Sequence, residues 1–142
     1  MTRIIIDQEA TQRSLNLALE GIALDVQESL KEKLTKEHGK DTGALQSQII
    51  ARVVDNTIEI TMPEHALYVE FGTPPHMPPV ESLEGWVRRK WGAKDAKEAR
   101  QKAWMLAMAI KKRGTRPYPF IRPTFFHEVI PIVKDNLKQA FK

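Results

Sequence analysis

The sequence predicts an α+β fold, in which a small antiparallel sheet packs against a long N-terminal helix and C-terminal helices. Apolar residues that recur every three or four positions between residues 15 and 34 define one face of the long helix. Two β-branched segments, Ser47 to Val54 and Thr57 to Met62, flank Asp55-Asn56, a pair suited to the positive φ of a two-residue hairpin turn. Thr124 to Phe141 again has helical apolar spacing.

The first half of the chain is predicted to contain a third strand. Thr2 to Ile6 is rich in β-branched residues, so the sheet is expected to consist of this N-terminal strand and the β-hairpin. Asp7 is a good N-cap for the long helix, which is predicted to end at about His38 because Gly39 is a typical C-terminal stop. The predicted buried face of this helix consists of Leu15, Leu19, Ile22, Val26, Leu30 and Leu34.

The second half is predicted to be helical, with interruptions at proline and glycine. Glu64 to Phe71 favours a single helical turn that places Tyr68 and Phe71 on the same side, and Pro74 to Pro79 excludes helix and central strand. Glu81 to Trp91 and Asp95 to Lys112 have helical spacing, and Pro131 should kink or divide the last helix. The stripes predicted to be buried are Ala96, Ala99, Ala103, Leu106 and Ile110, then Phe126, Val129 or Ile130, Val133, Leu137 and Phe141; Trp86, Trp91 and Trp104 are expected in the core or between helices.

Length and composition indicate one domain, which spans residues 1–142. A chain of this length is expected to bury roughly 68% of the surface of its unfolded state. No apolar segment approaches the ~20 residues of a membrane span, so no membrane is expected as a partner. The chain has no cysteine, which excludes disulfides and thiolate metal sites and suits folding in a reducing cytosol.

Charge is distributed unevenly along the chain. Twelve basic residues and two acidic ones lie between Arg88 and Arg122, so this stretch carries a net charge of +10 and the remainder −6. The stretch is interpreted as a solvated helix face, as a surface for an acidic partner, or as a surface for nucleic acid. The residues expected to face DNA or a partner are Arg88, Arg89, Lys90, Lys111, Lys112, Arg113 and Arg116.

No catalytic or metal-binding pattern is present, and the chain is not expected to be an enzyme or to need a cofactor. His65 and His76 flank Glu70, but neither histidine has the spacing of a metal ligand. A small hydrolase that uses Glu70 with His65 or His76 remains a minor alternative. We expect instead that Glu70 forms an ion pair with an arginine from a second segment, Arg113, Arg116 or Arg122.

Two short segments rich in glycine, proline and aromatic residues dominate the sequence. The first is Tyr68-Val69-Glu70-Phe71-Gly72-Thr73, and the second runs from Gly114 to Pro123. Glycine and proline fix the backbone, while tyrosine, phenylalanine and arginine are the residue types that anchor interfaces. The site predicted from them is therefore an interface or structural motif, with Tyr68, Phe71, Tyr118 and Phe120 as anchors.

The order of these features resembles the tail-component family of long-tailed bacteriophages and prophages, whose members are also called tail-completion or head-tail joining proteins. The resemblance covers nearly the whole chain. Such proteins vary in length between Pro74 and Lys112, so a basic helical insertion is expected at about residues 78–112. The matching residues are Thr42, Gly43, Ala44 and Leu45 before the hairpin; Tyr68, Glu70, Phe71, Gly72 and Thr73; and Gly114, Thr115, Pro117, Pro119, Phe120, Arg122 and Pro123.

The resemblance implies a non-enzymatic structural protein of the virion neck or tail, made in the host cytoplasm. It would join or complete the tail as part of a ring around the path of the DNA, six-fold to match a tail tube. Its partners would be other neck and tail proteins, while the isolated chain can remain monomeric. The alternative is a basic nucleic-acid-binding module that acts alone, by non-specific contact with phosphates.

Overall fold

The computed structural model describes all 142 residues and confirms the predicted α+β class. The chain contains seven helices and one two-stranded antiparallel sheet, which packs against the first helix. In chain order the elements are α1 (Gln8–His38), α2 (Ala44–Ser47), β1 (Ile50–Val54), β2 (Thr57–Thr61), α3 (His65–Phe71), α4 (Val80–Lys90), α5 (Ala96–Arg113), α6 (Ile121–His127) and α7 (Val129–Ala140).

Helix α1 has the predicted ends. The Asp7 carboxylate accepts a hydrogen bond from the backbone N–H of Ala10 at 3.1 Å, and Gly39 ends the helix with a φ of 86°. The C-terminal part of its predicted apolar face is fully buried, whereas Leu15 and Leu19 near the N-terminus are half-buried. The apolar periodicity therefore identified both the helix and the face on which the rest of the body is built.

The hairpin turns at the predicted residues, but the predicted N-terminal strand is absent. Asp55 and Asn56 have φ values of 47° and 62°, and β1 and β2 pair from Ile50–Thr61 to Val54–Thr57. Residues 1–7 have no regular secondary structure, and Ile4, Ile5 and Ile6 are exposed. Because Asp7 already caps α1, no residues lie between Ile6 and the helix cap to form a turn that could bring a strand onto the sheet.

The core lies between α1, the hairpin, α2 and the start of α6. Gln27 of α1 accepts a hydrogen bond from the backbone N–H of Ala51 at 2.8 Å, which fixes the sheet to the helix. Apolar side chains of the hairpin and of α7 pack against the same core from two sides. The buried cluster consists of Ile22, Val26, Leu30, Leu34, Leu45, Ile49, Ala66 and Phe120.

The last helix is divided, as Pro131 predicts, and the division changes which residues are buried. The break falls at Glu128, so that Pro131 lies in the first turn of α7, where its missing N–H has no helical partner. The apolar stripe was predicted for one continuous helix, and the break ends that continuity. Val133 packs against the core, as does Val129 of the predicted pair Val129 or Ile130, but the prediction is wrong for Phe126, Leu137 and Phe141, which are exposed.

Helices α4 and α5 pack side by side and form an extension that we call the arm, Val80 to Arg113. Their contact buries Val87 and the small side chains Ala99, Ala103 and Ala107, which allow the two backbones a close approach. Of the predicted stripe, Leu106 and Ile110 are half-buried and Ala96 is exposed. The expectation of core tryptophans is wrong for Trp91 and Trp104, which are exposed, whereas Trp86 is half-buried. We call residues 1–73 and 115–142 the body; Pro74 to Pro79 and Gly114 connect the body to the arm.

Candidate functional site

The two Gly-Thr segments meet at the base of the arm and form what we call the clasp, Gly72-Thr73 paired with Gly114-Thr115. Thr73 and Thr115 exchange backbone hydrogen bonds of 3.2 and 3.1 Å in an antiparallel bridge. Their hydroxyl oxygens are also hydrogen-bonded to each other, at 2.8 Å. Each hydroxyl oxygen in addition accepts a hydrogen bond from the backbone N–H of the opposite threonine. The clasp thus closes the chain on either side of the arm.

Glycine is required at both positions of the clasp. Gly72 and Gly114 have φ values of 71° and 73° with extended ψ, a backbone region that is almost exclusive to glycine. A Cβ on Gly72 would lie 2.5 Å from the carbonyl oxygen of Thr115, and one on Gly114 would overlap the carbonyl oxygen of Thr73. The repeated Gly-Thr dipeptide is therefore explained by one backbone pairing that uses each glycine in the same way.

Glu70 joins the second segment to the first. Its carboxylate is fully buried, and it accepts hydrogen bonds from the backbone N–H groups of Phe120, Ile121 and Arg122 at 2.7, 2.8 and 3.1 Å. These are donors at the start of α6, which have no partner within the helix. Pro123 follows with no N–H, so a single carboxylate satisfies every donor from Phe120 to Pro123.

The Glu70 carboxylate also pairs with Arg122, which confirms the predicted ion pair. The Arg122 Nε lies 2.8 Å from Glu70 Oε1, and the guanidinium lies over the Phe71 ring at 4.7 Å. Burial alone would raise the pKa of Glu70, but the hydrogen bonds from the Arg122 side chain and from the three backbone N–H groups hold its pKa below the ordinary value. Glu70 is therefore a charged structural group that joins α3 to α6.

The four predicted interface anchors fall into three environments. Tyr68 and Phe71 are 52% and 59% exposed on the same side of α3, and Leu67 is exposed beside them. Tyr118 is half-buried, with its ring 4.9 Å from that of His38. The prediction is wrong for Phe120, which is fully buried in the core, because its position next to the Glu70 carboxylate turns it inward.

The turn before the hairpin faces the second segment and fixes the arm to the body. Asp41 binds Arg89 of α4 with both carboxylate oxygens, at 2.6 and 2.7 Å, and the Lys90 ammonium donates to the carbonyl of Lys40. Gly43, at a φ of 83°, makes the turn into α2, whose Leu45 enters the core. A cleft of about 300 Å³ remains between this turn, α3 and the arm, and it is lined by His38, Thr42, Gly43, His65, Trp86 and Tyr118 among others.

The histidines and Glu70 do not converge on a reactive centre. His76 contacts the carbonyl of Pro74, and His65 lines the cleft beside His38, whose pKa is lowered by partial burial and by the nearby charge of Lys90. Both oxygens of Glu70 are occupied by donors of the second segment, so the hydrolase hypothesis loses its acid-base group. No group of three or more His, Asp and Glu side chains has metal-binding geometry.

The predicted basic residues are only partly free. Arg89 and Lys90 hold the arm to the body, and the Arg116 guanidinium lies 5.9 Å from the centre of the Tyr118 ring. Arg88, Lys111, Lys112 and Arg113 form no ion pair and are exposed. The free positive charge therefore lies on the arm, and most of it lies in the last turn of α5, next to the clasp.

The structure adds a surface that sequence reasoning missed. An open groove of about 910 Å³ runs along the arm, with Val80, Glu81 and Glu84 of α4 on one side and Lys97, Gln101, Trp104 and Met105 of α5 among the residues on the other. The signal was available in the sequence, since Lys97, Gln101, Trp104, Met108 and Lys111 alternate spacings of four and three and thus define a second helical face.

Comparisons with known proteins identified no relative of this chain. The chain matches no protein-family model, and no similar protein was found among curated proteins or solved structures. None of its helices has the combination of length and apolar composition that a membrane span requires.

Proposed function

We propose that the chain is a structural protein of the neck or tail of a long-tailed bacteriophage or prophage, which joins or completes the tail at the head-tail interface. It would be made in the host cytoplasm and incorporated into the virion as a homo-oligomeric ring around the DNA path, with six copies favoured. Its partners would be other neck and tail proteins. The motifs that resemble this family are those that form the clasp, the Glu70 junction and the turn that holds the arm.

The observation that carries the proposal is the amount of surface the folded chain leaves exposed. Its accessible area is 10160 Å², whereas a compact monomer of 16.2 kDa exposes about 7,500 Å². Large apolar side chains, among them Tyr68, Phe71, Trp104 and Phe126, contribute to this excess. Surface of this kind and extent is typical of subunits that become buried in permanent assemblies.

The role of the aromatic motif supports an assembly protein over an enzyme. The polar groups of the two Gly-Thr segments are consumed in holding α3, α6 and the arm together. Tyr68 and Phe71 remain exposed on a helix that this junction makes rigid. Rigid aromatic side chains are suitable anchors for an interface, because little conformational entropy is lost when they bind.

The decisive experiment is deletion of the gene from the phage or prophage that carries it. The proposal predicts free filled heads and unjoined tails by electron microscopy, and the protein in purified wild-type virions by mass spectrometry. Normal joined particles from the deletion strain, together with absence of the protein from virions, would overturn it. A gene needed only for replication would instead reduce the number of heads.

The alternative, a nucleic-acid-binding module that acts alone, is favoured by one observation, the free basic residues of the arm. If this alternative holds, the purified chain binds duplex DNA in proportion to its contacts with phosphates. Replacing Lys111, Lys112 and Arg113 together by alanine should then reduce the salt dependence of binding by about three phosphate contacts. Binding that is weak and unchanged in the triple variant would remove the alternative.

A further inference from the structure

The outer edge of β2 carries backbone groups without a hydrogen-bond partner. Because the hairpin turns over two residues, the pair next to the turn is hydrogen-bonded, and at every second residue the backbone N–H and C=O point away from the partner strand. On β1 the outward N–H of Ala51 donates to Gln27 of α1. On β2 the corresponding residues are Ile58 and Ile60, and no hydrogen bond from the rest of the chain reaches their outward groups.

No other element covers this edge. Only β1 and α1 pack extensively against β2, and Ile58 and Ile60 are half-buried, with the core on one side. Proteins usually interrupt an open edge with a free charge or a proline, because the edge is a template for another strand. The one charge of β2, Glu59, pairs with Arg52 of β1, and Pro63 follows the strand. The edge is therefore open to a further strand.

The N-terminal segment, residues 2–6, has the composition of a strand but no strand to pair with. All of its residues except Arg3 are β-branched, and the segment has no regular secondary structure. Ile4, Ile5 and Ile6 are 86%, 74% and 79% exposed. A contiguous run of exposed large apolar side chains is typical of an interaction site.

The N-terminal segment cannot reach the β2 edge of its own chain. Gln12 donates a hydrogen bond to the Asn56 side chain at 3.0 Å, so α1 starts beside the hairpin turn. The helix then runs beneath the sheet, where Gln27 reaches Ala51. To pair with its own β2, the segment would have to reverse direction and cross from the layer of the helix to that of the sheet. Asp7 already caps α1 and leaves no residue for that connection.

We infer that the N-terminal segment of one copy adds to the outer edge of β2 in another copy as a third strand. The segment matches β2 in length, since β2 also has five residues. A second copy is the occupant because the same chain presents both halves of the contact, an open edge and a β-branched segment that its own fold cannot bring to that edge. Backbone hydrogen bonds provide the affinity of such an added strand, and the alternating side chains provide its register.

The side-chain pattern favours one register. Antiparallel ladders are slightly more stable per residue than parallel ones, and an antiparallel segment with Ile4 opposite Ile60 uses the outward backbone groups of β2. Alternate isoleucines of the segment then lie on the core face of the sheet, beside the half-buried isoleucines of β2. Ile5 lies opposite Glu59 on the exposed face, in a pair without hydrogen bonds whose Cα atoms are about 4.5 Å apart.

This inference deepens the proposed function, since it specifies a contact between copies, and it rests on that function only for the setting of the ring. The contact itself can be measured with the purified chain. If strand addition fails while the protein is still found in virions, the inference falls and the proposed neck role stands. If strand addition is found while the deletion strain assembles normally, the contact stands without the neck role.

The absence of native cysteine allows a direct test by disulfide cross-linking. One chain carries Ile5→Cys, and a second chain of different mass carries Glu59→Cys. Mixed and oxidised at about 1 mM, where weak contacts are populated, they should form the mixed product about tenfold more often than a matched pair in which Arg52→Cys replaces Glu59→Cys. Arg52 lies on the same exposed face but one strand farther, with its Cα about 10 Å from that of Ile5, beyond the reach of a disulfide. Both cysteine positions remove the same Arg52–Glu59 ion pair, so their effects on the hairpin are matched.

Proline then tests whether the contact is a strand. Ile4→Pro in the donor chain removes an N–H that faces β2 and should reduce the mixed product about tenfold, whereas the N–H lost in Arg3→Pro faces solvent, so that variant should stay within about threefold of the parent. Circular dichroism verifies that each variant is folded.

Four results would each overturn the inference. They are a mixed yield equal to that of the Arg52→Cys control, equal effects of the two prolines, and a predominance of products that join Glu59→Cys to itself. The fourth is a disulfide within one chain that carries both Ile5→Cys and Glu59→Cys, because it would show that the segment reaches its own edge.

Discussion

Glu70 is the residue on which the junction between the two segments depends. It is charged and fully buried, and its two carboxylate oxygens are shared among three backbone N–H groups and the Arg122 guanidinium. A buried charge is stable only when such donors replace the water that it has lost. The side chain therefore contributes a cap for α6 and a tie between α3 and α6 at the same time.

Replacing Glu70 by glutamine tests this role. Glutamine keeps the shape but removes the charge, and its NH₂ group faces donors where an acceptor is needed. We expect the free energy of unfolding to fall by about 3 kcal/mol, measured by urea denaturation, because hydrogen bonds to a charged acceptor are weakened and at least one donor is left unsatisfied. Glu81→Gln, at an exposed carboxylate without a partner, is the matched control and should change the free energy by less than about 0.5 kcal/mol. Equal effects would contradict the role of Glu70.

The lowered pKa of Glu70 predicts a specific dependence of stability on pH. A carboxylate whose pKa is lower in the folded state than in the unfolded state stabilises the fold above the unfolded-state value, near 4.5. That contribution is lost as pH falls through the folded-state pKa. The urea midpoint of the wild-type chain should therefore fall more steeply below pH 4.5 than that of Glu70→Gln. Asp41 and Glu98, whose pKa values are also lowered by hydrogen bonds from Arg89 and from the backbone N–H of Lys94, contribute equally to both curves. Parallel acid limbs would show that Glu70 is not ionised in the fold.

At the scale of elements, the clasp determines whether the arm has a fixed base. The arm lies within a loop that leaves the body after Thr73 and returns at Thr115, and the bridge between these two residues, 42 positions apart, closes the loop. The Asp41–Arg89 pair holds a second point on α4. Two attachments, one at the base and one along α4, limit rotation of the arm about the base.

The substitution Gly114→Ala should detach the base of the arm from the body. Its Cβ overlaps the carbonyl oxygen of Thr73, and its φ of 73° is unfavourable for alanine, so we expect the clasp to be destabilised by about 3 kcal/mol. Hydrogen exchange at the amides of Thr73 and Thr115 should become about a hundredfold faster. Gly92→Ala is the matched control, because Gly92 has a φ of 74° but open space around it. Faster exchange at the clasp in Gly92→Ala as well would show that backbone strain elsewhere in the arm, and not the clasp, controls the exchange.

Local sequence signals predicted the helices and the hairpin well. Errors arose where contacts between segments distant in the sequence determine the structure. Asp7, Gly39, Asp55-Asn56 and Pro131 each act through their own backbone, so the ends of α1, the hairpin turn and the division of the last helix could be predicted. The strand at Thr2–Ile6 could not be excluded, because a strand exists only when an edge accepts it. The burial of Phe120 likewise follows from the Glu70 carboxylate fifty residues away.

One contact of the candidate site could be predicted from the sequence, but its backbone bridge and the neighbouring exposed surface could not. The pairing of Glu70 with an arginine followed from charge and from the rigid proline context, and the structure selects Arg122 among the three candidates. Contact between the two Gly-Thr segments was predicted through this ion pair, but the Thr73–Thr115 bridge was not, because a dipeptide does not reveal the partner of its backbone hydrogen bonds. The exposed face of α5 was missed because the alanines and Trp104 of this helix were both assigned to burial.

At the scale of the molecule, the folded chain leaves an unusually large part of its surface exposed to solvent. Its exposed area corresponds to burial of about 57% of the unfolded surface, below the 68% expected for a compact chain of this length. The exposed N-terminal residues 1–7, the arm and the open apolar faces of α1, α3, α6 and α7 contribute to this difference. Association that buries these surfaces would stabilise the fold further, which agrees with the proposed place in an assembly.

The last prediction concerns the α3 patch, defined by Leu67, Tyr68 and Phe71, and it separates folding from assembly. In the neck role, Tyr68→Ala combined with Phe71→Ala removes two exposed anchors while the buried Glu70 junction remains. The double variant should therefore melt within a few degrees of wild type, about 3 °C or less, yet fail to restore joined particles in a phage that lacks the gene. Phe120→Ala should instead unfold the chain, since Phe120 lies in the core. Its loss of about 3–5 kcal/mol makes the two variants distinguishable by thermal melting. Full complementation by the double variant, with the protein present in virions at wild-type level, would show that the α3 patch is not an assembly surface and would move the search for it to α1, α5 and α7.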